Sequence, residues 1–404
     1  MAGKDLITVT VCGGGNAAHV MAGLIASRKN TDLRILALED DDAEQWTKSV
    51  KGSDFILSAY DADMEMKDIA VKLKLITKDP AKAIPKAELV ILTVPMDLHE
   101  TYLEAIAPHV SANMTIVGIP GQLGFEFQCF SILKTKAKRM NIINMPGHPW
   151  AGRIVEFGKS VKILSKEESM VMSVTRGSGK TDKDPVQTLQ YLFGQLPELV
   201  LYNSFLEQIL STKSILNPPI VMAAWKNWDG KPFTKKPLFY QEVTEEAVKF
   251  ISDCSDETVL TAAEITKQKS SVILSNVVHI FESLKEEYKY NIEDNSTLIQ
   301  AIKTNTAFSS YRHPVQEVDD GKYEPDFNHR YINEDVPCGL VIVKGVAQLA
   351  KVKTPALDKV IKWCQEKMGK EYVVGNKLEG KDVSSTRAPQ RYGFKALQDL
   401  IEML

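Results

Sequence analysis

The stretch Ile7–Val20 (ITVTVCGGGNAAHV) constrains this chain more than any other. Alternating β-branched residues suit a strand, three glycines make a turn, and a helical pattern follows. Gly13, Gly15 and Ala18 fit the G-x-G-x-x-G/A dinucleotide fingerprint. The first glycine permits a tight turn, the second lets backbone approach a pyrophosphate, and the small third residue lets helix pack on strand. Backbone N–H groups of Gly14, Gly15, Asn16, Ala17 and Ala18 would then face phosphate oxygens at the positive end of the helix dipole. The competing reading is an ordinary glycine turn, so the sequence context has to decide.

Val20, Met21, Leu24 and Ile25 recur at helical spacing after the turn. Leu33–Leu38 reads as a second buried strand, followed by Glu39 and Asp40. Glu39 lies 39 − 18 = 21 positions past Ala18, where an acid binds the adenosine ribose. Strand, glycine turn, helix, strand and acid stand in the order a dinucleotide site needs. Glu39–Asp42 is an unbroken acidic run that would repel a 2′-phosphate, so NAD(H) is expected over NADP(H). The same run suits the first turn of a solvated helix, and the two readings are compatible.

A chain of 404 residues is long enough for two domains, each with its own core. The net charge of −3, without a polybasic stretch, points to no nucleic-acid or anionic-membrane partner. No apolar run reaches membrane-spanning length, and no leader is expected. The cysteines Cys12, Cys129, Cys254, Cys338 and Cys364 are scattered and form no C-x-x-C pair. A reduced, cytoplasmic protein without a metal site is the simplest inference. Oligomeric state is left open, and a monomer is compatible with the sequence.

Between Asp54 and Lys78 a partly alternating stretch reads as a small β-excursion. Ala87–Pro95 (AELVILTVP) is a buried strand whose end, Thr93, Val94 and Pro95, falls at the carboxyl edge where cofactors sit. A helix with Leu98, Tyr102, Leu103 and Ile106 follows, and its His99 reads as a surface or capping histidine. Met114–Ile119 is the next strand, followed by a loop with Gln122, which either donates to a substrate carbonyl or carboxylate or faces water. Asn141–Asn144 leads into MPGHPWAGR (Met145–Arg153). Val155–Thr175 is strand-like, Asp184–Gln195 helical, and Leu196–Asn203 crosses to a second region. GSGKT (Gly177–Thr181) resembles the tail of a P-loop, but the upstream glycine and buried strand are missing, which excludes it. These β-α units predict a Rossmann-type doubly wound parallel sheet over 1–203.

From Ser204 helical periodicity dominates, including one long run from Val259 to Tyr288, so 204–404 is expected to be a mostly α-helical domain that presents substrate groups. Reduction of a carbonyl or imine needs a proton donor, a cation for the substrate carboxylate and a group orienting the donor. Asp326–Pro337 (DFNHRYINEDVP) is the richest candidate: Arg330 offers a planar fork and Asp335 lies five residues on. The alternative is a surface Arg–Asp ion pair. In SILNPPI (Ser214–Ile220), Asn217 by itself reads as a helix cap.

VCGGGNAAH (Val11–His19), ILTVP (Ile91–Pro95), GFEFQC (Gly124–Cys129), WDGKP (Trp228–Pro232), LFYQ (Leu238–Gln241), NHRYINEDVP (Asn328–Pro337) and PQRYGF (Pro389–Phe394) occur in one order along the chain. In these pieces the chain resembles the opine dehydrogenase family, its octopine-forming branch in particular. The resemblance implies a Rossmann domain, a helical domain, and an NADH-dependent reductive condensation of pyruvate with an amino acid that re-oxidises NADH in anaerobic glycolysis. By position, Arg330 resembles the family's carboxylate-binding arginine, Gln122 its pyruvate-contacting glutamine, and Asp335 the aspartate of its catalytic His–Asp pair. The chain departs at the histidine of that pair, where Asn217 stands; an amide does not shuttle a proton near neutral pH. Three explanations stay open: another acid, with His148 the first candidate and His329, beside Arg330, a further one; water held by Asn217; or a weakened or deliberately altered variant.

A second departure concerns the amine. Arginine-using relatives supply an acid just before the Pro-Trp pair, whereas here the segment is MPGHPW. Arginine is therefore expected to be a poor substrate, and alanine, glycine, β-alanine or taurine a good one. The rival functions are a two-domain dehydrogenase that reduces a keto acid without an amine or acts on a phosphorylated alcohol, and a nucleotide-binding module with little catalysis.

Overall fold

The computed structural model describes residues 6–60, 65–181 and 183–404. The chain forms two compact units, one running to Phe205 and including Met403–Leu404, the other Leu206–Glu402.

In the first unit the strands are β1 (Ile7–Cys12), β2 (Thr31–Leu36), β3 (Phe55–Tyr60), β4 (Met66–Val71), β5 (Leu75–Thr77), β6 (Leu89–Leu92), β7 (Thr115–Gly118), β8 (Asn141–Asn144), β9 (Trp150–Glu156), β10 (Ser160–Lys166), β11 (Ser169–Thr175) and β12 (Glu198–Leu201). Eight of them form one sheet in the order β12-β11-β8-β7-β6-β1-β2-β5. From β8 to β5 every pair is parallel. The parallel core has the doubly wound form expected, and β11 adds an antiparallel step onto β8. The segment expected only to cross between domains instead supplies β12, paired parallel to β11.

The β-excursion is larger than the sequence suggests. β3 and β4 join β9 and β10 in a separate sheet, order β4-β3-β10-β9. Its partners lie about a hundred residues apart, so no local pattern announces it. It packs on α1 (Asn16–Ala26), where Gly23 sits against Leu57, and Gly152 lies so close to Val20 that a side chain there would collide. Helices α2 (Asp42–Ser49), α3 (Pro80–Ala83), α4 (His99–Ile106), α5 (Phe125–Leu133) and α6 (Pro185–Phe193) complete the unit. β1 is buried at every position, as a central parallel strand requires. His99 is a correction: it is fully buried, its Nε2 3.0 Å from the Val94 carbonyl and its ring edge-on to Phe125. It ties the start of α4 to the loop after β6.

The second unit is mostly helical: α7 (Phe205–Leu210), α8 (Asn217–Trp225), α9 (Glu245–Gln268), α10 (Ile280–Glu287), α11 (Leu298–Lys303), α12 (Arg330–Asn333), α13 (Val341–Leu349), α14 (Pro355–Met368) and α15 (Leu397–Ile401). The single long run expected from Val259 to Tyr288 is broken, because α9 ends at Gln268 and α10 begins at Ile280. Leu260 and Ile273, counted as apolar-face positions in that run, are exposed. Lys269 leaves the helix with extended backbone, and His279 caps the next one through its side chain. Inside the unit, Glu257 of α9 accepts the N–H groups of Ala356 (2.7 Å) and Leu357 (2.9 Å) at the start of α14. Beside it the buried Lys344 ammonium sits 2.7 Å from Asp358 and donates to Thr354 at 2.8 Å.

Candidate active site

In the first unit the residues singled out from sequence collect on one edge of the sheet. β1, β2, β6, β7 and β8 run parallel, so the segments after their last residues emerge together. Those segments are Gly13–Gly15, Ala37–Asp40, Thr93–Pro95, Ile119–Gln122 and Met145–His148. The order reverses around β1, which is the switch point where ligands bind in open α/β sheets.

Gly13 has φ +124, and a Cβ there would come 2.8 Å from Val94 Cγ1 and 3.0 Å from Thr93 Oγ1. The Thr93 hydroxyl donates to the Cys12 carbonyl at 2.8 Å, locking β6 to the turn. Gly15 is the N-cap of α1, no side chain caps that helix, and a Cβ at Gly15 would meet nothing within 4 Å. This is an open cradle at the head of an eleven-residue helix. Two side chains brace it from behind. Asn16 Oδ1 accepts the Ile154 N–H at 2.7 Å, and His19 Nε2 accepts the Gly158 N–H at 3.0 Å. His19 is fully buried and stacks on Trp46 at 3.8 Å. Its Nδ1 lies 3.1 Å from the Gly15 carbonyl. Burial lowers its pKa to about 4, so the ring is neutral. Glu39 accepts the Tyr102 hydroxyl at 2.6 Å, and the same phenol oxygen accepts the Leu38 N–H at 2.9 Å. The exposed Asp40 follows with φ 28. Asp42, in the first turn of α2, lies against Gly14. Burial first, then Glu39, Asp40 and Asp41, raise its carboxyl pKa.

Gln122 adopts φ 61, the left-handed region. For a residue other than glycine this costs about 1–3 kcal/mol and persists only where neighbours hold it. Here the Asn144 amide donates to the Gln122 carbonyl at 2.8 Å and to the buried Glu126 carboxylate at 3.0 Å. The Ser173 hydroxyl donates to Glu126 at 2.8 Å. The loop geometry at Gln122 is thus set by a buried polar network. His148 is exposed on the next loop, its pKa lowered from 6.5 by desolvation.

In the second unit Asn217 is the first residue of α8, not its cap, which corrects the capping expectation. Its Nδ2 donates to Asp335 Oδ2 at 2.8 Å, and its Oδ1 accepts the Tyr240 hydroxyl at 2.9 Å. The Ser214 hydroxyl also donates to Asp335. Gly339 permits this approach, since a side chain there would collide with Ser214. Burial pushes the Asp335 carboxyl up to about 6, against the pull of Asn217, Arg330 and Ser214; Glu334 adds to the push. Tyr240 stacks on Phe308 at 4.3 Å, and burial drives its phenol pKa well above the usual range. Arg330 is exposed, its Nε 3.6 Å from Glu334 Oε2, so the expected Arg–Asp pair is instead an Arg–Glu pair within one turn. His329 caps α12, accepting the Tyr331 N–H through Nδ1 at 3.3 Å. Sequence reasoning missed Ser214 and Tyr240 as members of this cluster, and His19 and Asn144 in the first unit.

Residues 201–368 match the family model "NAD/NADP octopine/nopaline dehydrogenase, alpha-helical domain". An opine dehydrogenase of Haliotis discus hannai is 48% identical, covering 98% of this chain and 99% of the relative. The chain belongs to the opine dehydrogenase family. A tauropine dehydrogenase of Arabella iricolor is 40% identical, covering 98% of this chain and all of the relative. The structure of octopine dehydrogenase with NADH and L-arginine superposes with a TM-score of 0.92 at 42% identity, covering 98% of each chain. This opine dehydrogenase is accordingly an NAD-dependent oxidoreductase acting on CH–NH bonds, carrying out reductive condensation of pyruvate with an amino acid. The cradle at Gly13–Ala18 fits NAD(H): the space above Gly15 is open, the first-turn N–H groups lack a side-chain cap, and acids follow β2. Among the described residues, no helix is long and apolar enough to cross a membrane.

Proposed function

We propose that this enzyme condenses pyruvate with a small neutral or acid-headed amine (alanine, glycine, β-alanine or taurine) and not with arginine. The observation that carries this reading is the loop after β8. Met145 and Trp150 are buried, and Pro146, Gly147 and His148 between them bring no carboxylate to meet a guanidinium. A cationic side chain would there be desolvated without a partner.

The first unit, ending near Asn203, is the nucleotide domain, and the second carries the groups that handle substrate. Gly13–Ala18 hold the pyrophosphate and Glu39 the adenosine ribose. NADH, when bound, supplies the hydride. Arg330 takes the pyruvate carboxylate; its exposed guanidinium, 3.6 Å from Glu334, is open to a stronger bidentate partner. Gln122, held in a strained loop, donates to the carbonyl. The setting is the cytoplasm, in keeping with the scattered cysteines.

The test is NADH oxidation with pyruvate and each amine in turn. One of the four small amines should give a kcat/KM at least about tenfold above arginine, a difference of about 1.4 kcal/mol. Faster turnover with arginine overturns the amine assignment. Oxidation with pyruvate alone, at the same rate, would favour a keto-acid dehydrogenase.

A further inference from the structure

Four side chains converge in the second unit: Ser214, Asn217, Tyr240 and Asp335. Of these, only the carboxyl can change charge near neutrality. A serine hydroxyl and an amide do not titrate there, and burial moves the Tyr240 phenol further away. Both ends of the Asn217 amide are taken, Oδ1 by Tyr240 and Nδ2 by Asp335. We propose that Asp335 is itself the acid–base group of the condensation, and that Asn217 and Tyr240 are its positioning residues. This rests on the reaction assigned above.

Protons balance without another acid. The Asp335 carboxylate takes a proton from the substrate ammonium, which frees the lone pair that forms the C–N bond to the pyruvate carbonyl carbon. As that bond forms the C=O π pair moves onto oxygen, which takes a proton from the added nitrogen to give the carbinolamine. The C–O bond then breaks as the nitrogen lone pair forms C=N, Asp335 returns its proton to the departing hydroxyl, and water leaves. The iminium that remains is reduced by hydride from NADH. Solvent then supplies the proton that makes the product amine a cation.

The amide geometry suits this cycle. With Asp335 ionised, two donors face it, and the Tyr240 hydrogen bond holds Asn217 with its NH2 toward the carboxylate. With Asp335 protonated, a half-turn of the amide presents Oδ1 to the new O–H and Nδ2 to the phenol oxygen. Asn217 is therefore a two-position latch that follows the proton without carrying it. The other groups facing Asp335 are Arg330, which favours the charged form, and Glu334, which opposes it; Cys338 and Tyr331 lie nearby as neutral groups.

The experiment is the dependence of kcat on pH from 5 to 9 for wild type and for Asp335→Asn, Asp335→Glu, Asn217→Ala and Tyr240→Phe, with pyruvate and the best amine. NADH affinity is read in parallel by nucleotide fluorescence. Asp335→Asn should lower kcat at least about 100-fold, with NADH affinity kept, and Asp335→Glu should recover part of it. Asn217→Ala and Tyr240→Phe should retain turnover but move the acid limb to higher pH, because each weakens the donor that favours the ionised carboxyl. Carboxyl ¹³C NMR of wild type against Asp335→Asn should show the Asp335 titration moving in step with that limb. A folded Asp335→Asn enzyme with more than a tenth of wild-type kcat overturns the inference while the reaction stands, as does an acid limb that neither Asn217→Ala nor Tyr240→Phe moves. Wild-type enzyme that turns over no amine overturns both.

Discussion

The Asn217 amide donates to Asp335 Oδ2 at 2.8 Å while its own oxygen accepts from Tyr240 at 2.9 Å. Burial of the carboxyl in this cluster raises its pKa from 3.8 to about 6, against the pull of the Asn217 hydrogen bond. A raised carboxyl pKa means that folding favours the protonated form. The group's contribution to stability is fullest below about pH 4 and is lost as pH rises through about 6. Asp335→Asn should therefore melt higher than wild type at pH 7.5, by about 2–4 °C per kcal/mol recovered, and the gap should close toward pH 4. Equal melting temperatures at pH 7.5 would contradict this.

Gly13 and Gly15 should separate folding from binding. Alanine at 13 must adopt φ +124 and press on Val94 and Thr93, so Gly13→Ala should lower the melting temperature. Alanine at 15 meets nothing in the protein but would enter the space proposed for the pyrophosphate. Gly15→Ala should leave melting within about 0.5 kcal/mol and weaken NADH at least about tenfold, read by fluorescence titration.

Arg330 is an exposed residue with a weak neighbour, so its removal should not cost stability; such ion pairs contribute about 0–1 kcal/mol. Arg330→Ala should raise the KM for pyruvate by about tenfold or more, with NADH affinity preserved. Unchanged pyruvate kinetics would remove it from the site.

His19 gives the glycine turn before α1 an acid limit. Its pKa falls from 6.5 to about 4 in the fold, so folding favours the neutral ring. The stability it contributes is present above pH 6.5 and is lost as pH falls from there toward 4. Urea unfolding should show wild type losing stability between pH 6.5 and 4.5 more steeply than His19→Gln. His19→Gln should bind NADH more weakly at pH 7.5, since Gly15 and Gly158 lose their common anchor.

The buried Lys344 ammonium, set among Asp358, Thr354 and Glu257, should matter for folding only. Lys344→Ala leaves Asp358 buried and unpaired, and should cost about 3–5 kcal/mol in denaturant unfolding.

Local pattern carried a great deal. The glycine turn, the first two strands and the acid after β2 sit within about forty residues of one another, so spacing alone set out the strand, turn, helix, strand and acid in order. Arg330 and Asp335 were visible for the same reason, as charged residues in one short segment. Other features depended on distance along the chain. Asn217 and Asp335 are separated by 118 positions, and Gly158 and His19 by 139. The cap reading of Asn217, the surface reading of His99 and the Arg–Asp pair were each reasonable for an isolated peptide and were overridden by packing. Periodicity reports which face of a segment is apolar, but it does not report which polar atoms will meet when two such faces close. Sequence therefore determined the glycine turn between β1 and α1 and, through the family resemblance, pointed to the class of reaction. Tertiary structure alone decided that the amide at 217 would be held between a phenol and a carboxyl, because a buried hydrogen bond must be completed by whatever polar group the fold brings within reach.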